Sequence, residues 1–218
     1  MIRSAVSQIL VEWAVALNAK AHRYTFDYEA KNFFASHQAV LPLEHVLPVV
    51  GKQTAFSYDS QLKGAVEVES NVLIGHGSYL NGNNAPIRVG SDTVIGEHVA
   101  IYTKELYKSI PGSTNIGRGT YIGDKTNINS TLIDDDVFVG ENCYIGEGSI
   151  LERGSVLLPG SVVQPGTVLE SGKVYAGTPA KPVTANIDKY QKRLTERLKS
   201  ARDTAQNLDQ QVLYIKAE

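Results

Sequence analysis

The chain has 218 residues and a formal net charge of −2. That is long enough for one sizeable domain with appendages, and it lacks the basic excess of a nucleic-acid binder, so no nucleic-acid partner is expected. A single cysteine, Cys143, excludes a disulfide framework and a cysteine-rich zinc site, and no apolar run approaches the roughly 20 residues of a membrane-spanning helix.

From the N-terminus, Ile2, Val6, Ile9, Trp13 and Leu17 mark one helical face. Met1 to Leu17 also carries Arg3, several Ser and Ala, and no acid before Glu12. It reads either as an ordinary N-terminal helix or as a weak mitochondrial transit signal. Lys20, His22, Arg23 and Lys31 then interleave with Tyr24, Phe26, Tyr28, Phe33 and Phe34. Aromatic and basic residues in this mixture suit an interfacial helix beside anionic lipid, a docking segment on a partner, or plain core packing. Trp13, Arg23, Tyr24, Phe26, Lys31, Phe33 and Phe34 are the candidate contacts. Residues 1–39 are expected as an amphipathic helical segment, and 40–55, with Pro42 and Pro48, as a linker.

From Phe56 an apolar residue recurs every sixth position through Leu62, Val68, Ile74 and Leu80. The register returns at Val89, Ile95 and Ile101, and again at Ile116, Ile122 and Ile128. After a one-residue slip to Ile133 it runs unbroken through Val139, Ile145, Leu151, Leu157, Val163, Leu169 and Tyr175. Gly follows the apolar residue at 75, 90, 96, 117, 123, 140 and 146, where it is expected to relieve strain near a turn. Small or β-branched residues, such as Ser78, Thr93, Thr120, Thr126, Ser149 and Ser161, sit four after it. Three hexads close one triangular coil, and stacked coils bury a continuous apolar column that no coil buries alone. Residues 56–181 are therefore expected as a mainly β parallel solenoid, a β-helix of hexapeptide repeats.

Two stretches break the register. Residues 102–115, with Pro111-Gly112, read as a loop leaving the coil, either functional or a simple insertion. Asn81 to Pro86 reads as a wide corner. Past Pro182, Asn186 and Asp188 can cap a helix whose apolar stripe runs Ile187, Tyr190, Leu194, Leu198, Ala201, Ala205, Leu208 and Val212. That helix, 186–213, is expected to pack along the solenoid or a neighbouring subunit.

The run Val137 to Gly166, with its ending Ala176-Gly177-Thr178-Pro179-Ala180-Lys181, resembles the last coils of γ-class carbonic anhydrases, although hexapeptide acyltransferases share that ending. The segment Ala30-Lys31-Asn32-Phe33-Phe34, then a Pro-containing linker and a solenoid, is similar to the N-terminal region of the γ-carbonic-anhydrase-like subunits of mitochondrial respiratory complex I. The resemblance spans roughly residues 20 to 210 and implies a left-handed β-helix in a trimer, an exception to the usual right-handed crossover.

It also allows a residue-by-residue test for zinc. The family's three histidine ligands fall on Tyr102, Asp124 and Asn129, its inter-subunit Arg-Gly-Asp corner on Asn81-Gly82-Asn83, and its hydroxide-assisting Gln on Gly96. Catalytic zinc needs three protein ligands and an open water position, so no cofactor is expected on this chain's own residues. Zinc at a neighbouring subunit interface stays open. What the resemblance implies is a non-catalytic protomer of a trimer, chiefly a heterotrimer of γ-carbonic-anhydrase-like subunits. It would lie on the matrix side of the mitochondrial inner membrane against complex I membrane-arm subunits and anionic lipid. The alternative is an acyl-CoA-dependent hexapeptide acyltransferase with His76 or His98 as general base and the 102–115 loop over the substrate. Against it, the sequence displays no second catalytic group beside either histidine; both, like His22, His37 and His45, also read as solvated turn residues.

Overall fold

An apolar residue at every sixth position turns inward only if the chain bends after each short strand. The computed structural model, which describes residues 40–41, 48–57, 59–106 and 110–209, has this form. It is mainly β, a left-handed parallel β-helix of about seven turns followed by a C-terminal helix. The described residues fall within one unit, Ala39–Val212. The N-terminal candidates Trp13, Arg23, Tyr24, Phe26, Lys31, Phe33 and Phe34 lie outside the described residues.

Three flat faces make up the solenoid. The first stacks Ala55–Phe56, Leu73–Ile74, Val94–Ile95, Tyr121–Ile122, Phe138–Val139, Val156–Leu157 and Val174–Ala176 in parallel. The second runs from Gln61 and Tyr79 through Ala100–Tyr102, Asn127–Asn129, Tyr144–Ile145 and Val162–Val163. The third carries Val49–Val50, Val66–Val68, Ile87–Val89, Thr114–Ile116, Leu132–Ile133, Ile150–Leu151 and Val168–Leu169.

The expected inward column is the core. Leu62, Val68, Ile74, Ile95, Ile101, Ile116, Ile122, Val139, Ile145, Leu151, Leu157, Val163 and Leu169 are all buried in one cluster. Each such side chain contributes about 2 kcal/mol by leaving water. The corner hydroxyls tie coil to coil. Ser78 Oγ accepts from Val99 N–H at 3.1 Å and donates to Gly96 O at 2.7 Å. Thr126 Oγ1 does the same with Cys143 N–H and Gly140 O. A buried hydroxyl with both capacities met offsets the cost of its desolvation, which suits Ser78 and Thr126 to these corners.

Four expectations are corrected. First, the stretch 40–55 is not a linker throughout. Val40–Leu41 and Val49–Val50 pair with Gln61–Val68, and Ala55–Phe56 pairs with Leu73–Ile74, so it contributes strands to the first coil. Second, Asn81 to Pro86, expected as a wide corner, does carry the chain from the second face to the third, but within one long strand, Tyr79–Val89, paired with Gln61–Val68 across a register shift between Gly64 and Val66, and not as a strand-free turn. Third, within 102–115 the chain forms antiparallel strands Lys104–Leu106 and Ile110–Gly112 rather than an irregular loop. Fourth, the glycines that follow the apolar residues do not relieve a turn. A Cβ at Gly75 or Gly123 would lie 2.6 Å from backbone atoms of the next coil, so these positions are kept bare by close approach of the chain to itself.

The C-terminal helix, Ile187–Asp209, starts with Asn186 Oδ1 accepting from Asp188 N–H at 3.0 Å, a cap of the expected kind. It docks on its own solenoid. Ile187, Tyr190, Leu194 and Leu198 pack on the outward side chains of the first face, Val94, Tyr121, Phe138, Val156 and Val174. Tyr121 and Phe138 stack at 5.2 Å, and Arg197 lies 5.7 Å over the Tyr121 ring. Leu194 is buried at the centre of this contact. Leu194→Ala is expected to cost about 2 kcal/mol, read as a lower urea midpoint; an unchanged midpoint would mean the helix adds nothing to the solenoid's stability.

Candidate active site

At the corner between the first and second faces, several coils take a left-handed backbone three residues after the inward side chain. Gly77 (φ 65) takes it with glycine, and His98 (φ 53), Lys125 (φ 57) and Asn142 (φ 55) take it without. Stacking then places His98 on Gly77, where any Cβ would strike the imidazole. The His98 N–H donates to His76 O at 2.7 Å, and the two rings meet edge to face with centroids 5.7 Å apart. On the other side of His76, its Nδ1 lies 2.6 Å from Asp59 Oδ2. Three successive coils thus supply a carboxylate, an imidazole and a second imidazole along one corner.

Asp59 is the less exposed member of its pair, at 21% against 49% for His76. Burial pushes its carboxyl up. The Gly77 N–H, the Ser57 hydroxyl and the His76 charge together outweigh that and hold it below the usual carboxylate range. With Nδ1–H donating to Asp59, the tautomer is fixed with Nε2 as the basic nitrogen. A base oriented by a carboxylate is the arrangement that activates a hydroxyl or amine.

The depressed Asp59 value has a testable sign. A carboxyl more acidic in the folded than in the unfolded chain stabilises the fold above the unfolded value, near 3.9, and loses that contribution as pH falls through the folded value. Asp59→Asn is expected to melt below wild type at neutral pH, with the gap closing below about pH 4. A gap that stays constant down to acid pH would remove Asp59 as the cause.

The positions that the resemblance assigned to zinc are arranged differently. Tyr102 and Asn129 are register partners on neighbouring coils, but the Tyr102 ring rests 5.7 Å from that of Tyr79 and Asn129 is buried. Asp124 sits on the preceding corner, where its Oδ1 accepts from Glu97 N–H at 2.8 Å. It lies over Gly96, the position aligned with the family's Gln, where a Cβ would strike that carboxylate. One engaged carboxylate, one buried amide and one phenol do not fit a catalytic zinc. Among the described residues no group of three His, Cys, Asp or Glu could hold a metal ion. His76 and His98 are brought together; the absence of a second catalytic group beside them is corrected by Asp59. The hexad register held the clue: Asp59 stands three after Phe56, as Gly77 and His98 stand three after Ile74 and Ile95, so stacking alone puts it on this corner.

No family model matches the chain, and no curated protein matches it. Solved structures do. A hexapeptide transferase family protein from Anaplasma phagocytophilum matches with a TM-score of 0.71 at 24% identity, over 78% of this chain and 97% of that one. A putative acetyltransferase from Bacillus cereus matches with a TM-score of 0.63 at 16% identity, over 81% and 100%. A UDP-N-acetylglucosamine acyltransferase from Bacteroides fragilis matches with a TM-score of 0.51 at 13% identity, over 71% and 73%. At these identities the likeness carries the fold, a hexapeptide-repeat solenoid. It does not bear out the finer resemblance to a γ-carbonic-anhydrase-like subunit of complex I. The expectation of a non-catalytic chain is corrected here, because these three solved structures, which share its fold, are described as transferases.

Proposed function

We propose that the chain is an acyltransferase that moves an acyl group from acyl-CoA to a hydroxyl or amine acceptor. The observation that carries the reading is the 2.6 Å contact of His76 Nδ1 with Asp59 Oδ2 on an exposed solenoid corner. The transferase descriptions of solved structures with the same architecture support it. In the reaction His76 Nε2 accepts the acceptor's proton as the acceptor oxygen or nitrogen attacks the thioester carbonyl. The carbon–sulfur bond then breaks, and the CoA thiolate leaves with the proton returned by the imidazolium. Asp59 holds the ring in orientation and stabilises its charged form, the role of a positioning residue.

The test is release of CoA thiol from acetyl-CoA by the purified full chain, with and without a panel of amine and hydroxyl acceptors. Acceptor-dependent release is expected. Release no faster than hydrolysis, across the panel and across short and long acyl chains, would overturn the proposal.

A further inference from the structure

The first and third faces each carry an outward apolar column, and the C-terminal helix covers the first. There it leaves Tyr121, Phe138 and Val156 buried. On the third face Leu132, Ile150 and Val168 stand one above another in register, and they are 45%, 37% and 47% exposed. The solenoid does not need them, since its core is the inward column. The three coils before them place Glu67, Arg88 and Asn115 at the same outward position, so this apolar column begins at Leu132.

Two residues further along each of these strands, on the same side, stand Asp134, Glu152 and Glu170. A column of carboxylates thus edges the apolar column. Asp134 Oδ1 and Glu152 Oε2 accept from the backbone N–H groups of Asp135 and Ser171 at 2.8 and 2.9 Å, bonds that do not neutralise them. Glu170 meets Lys173 at 2.6 Å in an exposed pair. The arginines of this corner, Arg118 and Arg153, are turned to Asp135. The edge therefore carries net negative charge.

Spacing selects the occupant. Coils are about 4.8 Å apart, and an extended segment presents one side only every ~6.8 Å. One turn of α-helix advances about 5.4 Å. Over the height of the column a helix drifts by about 1 Å and a strand by about 4 Å. The chain makes the same choice on its first face, where Ile187, Tyr190, Leu194 and Leu198 dock at helical spacing. Carboxylates beside the column complement cations beside a helix's apolar stripe, and they repel an anionic lipid surface. Two copies of this face would meet through three side chains each, far short of the about 800 Å² per partner of a stable dimer. From this pattern we infer that the third face, from Leu132 to Glu170, docks an amphipathic helix of a partner protein, apolar along one stripe and basic along its flank. In a triangular coil this face lies opposite the His76 corner, so the occupant leaves that corner open. The inference stands without the acyltransferase reading.

Fluorescence-anisotropy titration of the full chain tests it. The probe is a labelled amphipathic helical peptide of leucine and lysine, and the counter-probe is its leucine and glutamate counterpart. The lysine peptide is expected to bind about tenfold tighter than the glutamate peptide. Ile150→Ser is expected to weaken its binding about tenfold through loss of one covered side chain. The triple variant Asp134→Asn, Glu152→Gln, Glu170→Gln keeps the acceptors of the backbone bonds and removes the charge; about a tenfold loss is expected again. Glu141→Gln, at an exposed acid on the corner opposite this face, is expected to bind as wild type does. Melting curves control for folding. Equal binding of the two peptides, undiminished binding by a folded Ile150→Ser or a folded amide triple, or a loss in Glu141→Gln as large as in the triple would overturn the docking face. Phosphatidylserine vesicles held by wild type and released by Ile150→Ser would overturn it in favour of a lipid contact. A molar mass by light scattering that Ile150→Ser lowers would overturn it in favour of a contact between copies.

Discussion

His76→Ala is expected to lower the turnover number for acyl transfer about a thousandfold, the middle of the range for removing a positioned general base. The Michaelis constant is expected to move far less, because the imidazole acts on a proton in transit and not on the bound acceptor. Its side chain is 49% exposed and stands on a corner outside the buried column, so the fold is expected to survive. His98→Ala makes the internal comparison. His98 touches the His76 ring edge to face, so its loss is expected to cost about tenfold by loosening the ring. Equal and severe loss in both variants would make the two imidazoles one unit. Loss in His98→Ala with activity kept in His76→Ala would reverse the assignment and leave the Asp59 contact structural.

The inward column was legible in the sequence because its chemistry is repetitive. Ile95, Ile122 and Leu157 each have only an apolar, β-compatible solution, and each repeats the one a coil away. The docking site of the C-terminal helix was also present in the pattern. Val94, Tyr121, Phe138, Val156 and Val174 are the outward residues that precede an inward one on a single face, and only a reading coil by coil separates them from the polar outward residues elsewhere. What stayed hidden are pairings across coils through side chains. Asp59 and His76 lie in different coils, and neither residue type is required by the solenoid. The paired strands Lys104–Leu106 and Ile110–Gly112 were hidden for a related reason: they pair with each other and hold no six-residue register with the coil they leave.

The glycines divide into two kinds, and that division gives the largest expected change in stability. Gly123 does not have a left-handed backbone; a Cβ there would come within 2.6 Å of Glu141 N and Gly140 C, both backbone atoms of the next coil. Backbone atoms held in a hydrogen-bonded ladder have nowhere to retreat, since Gly123 N–H donates to Val139 O at 2.9 Å and Tyr121 pairs with Phe138 in the same step. Gly154 is the opposite case, with φ +68 and nothing within 4 Å of a built Cβ. Gly123→Ala is therefore expected to cost about 4 kcal/mol, at the upper end for a single substitution. Gly154→Ala is expected to cost about 1 kcal/mol from backbone strain alone. Gly154→Asn is expected to cost less still, because Asn71 and Asn142 already hold this backbone conformation at φ 59 and φ 55. In a stack whose stability is the sum of neighbouring interfaces, opening the step beside Gly123 separates the coils before it from those after it. Chemical denaturation of Gly123→Ala is accordingly expected to show two transitions where wild type shows one. Equal midpoints for Gly123→Ala and Gly154→Ala would mean that glycine is kept at both positions for its backbone freedom and not for the closeness of the coils.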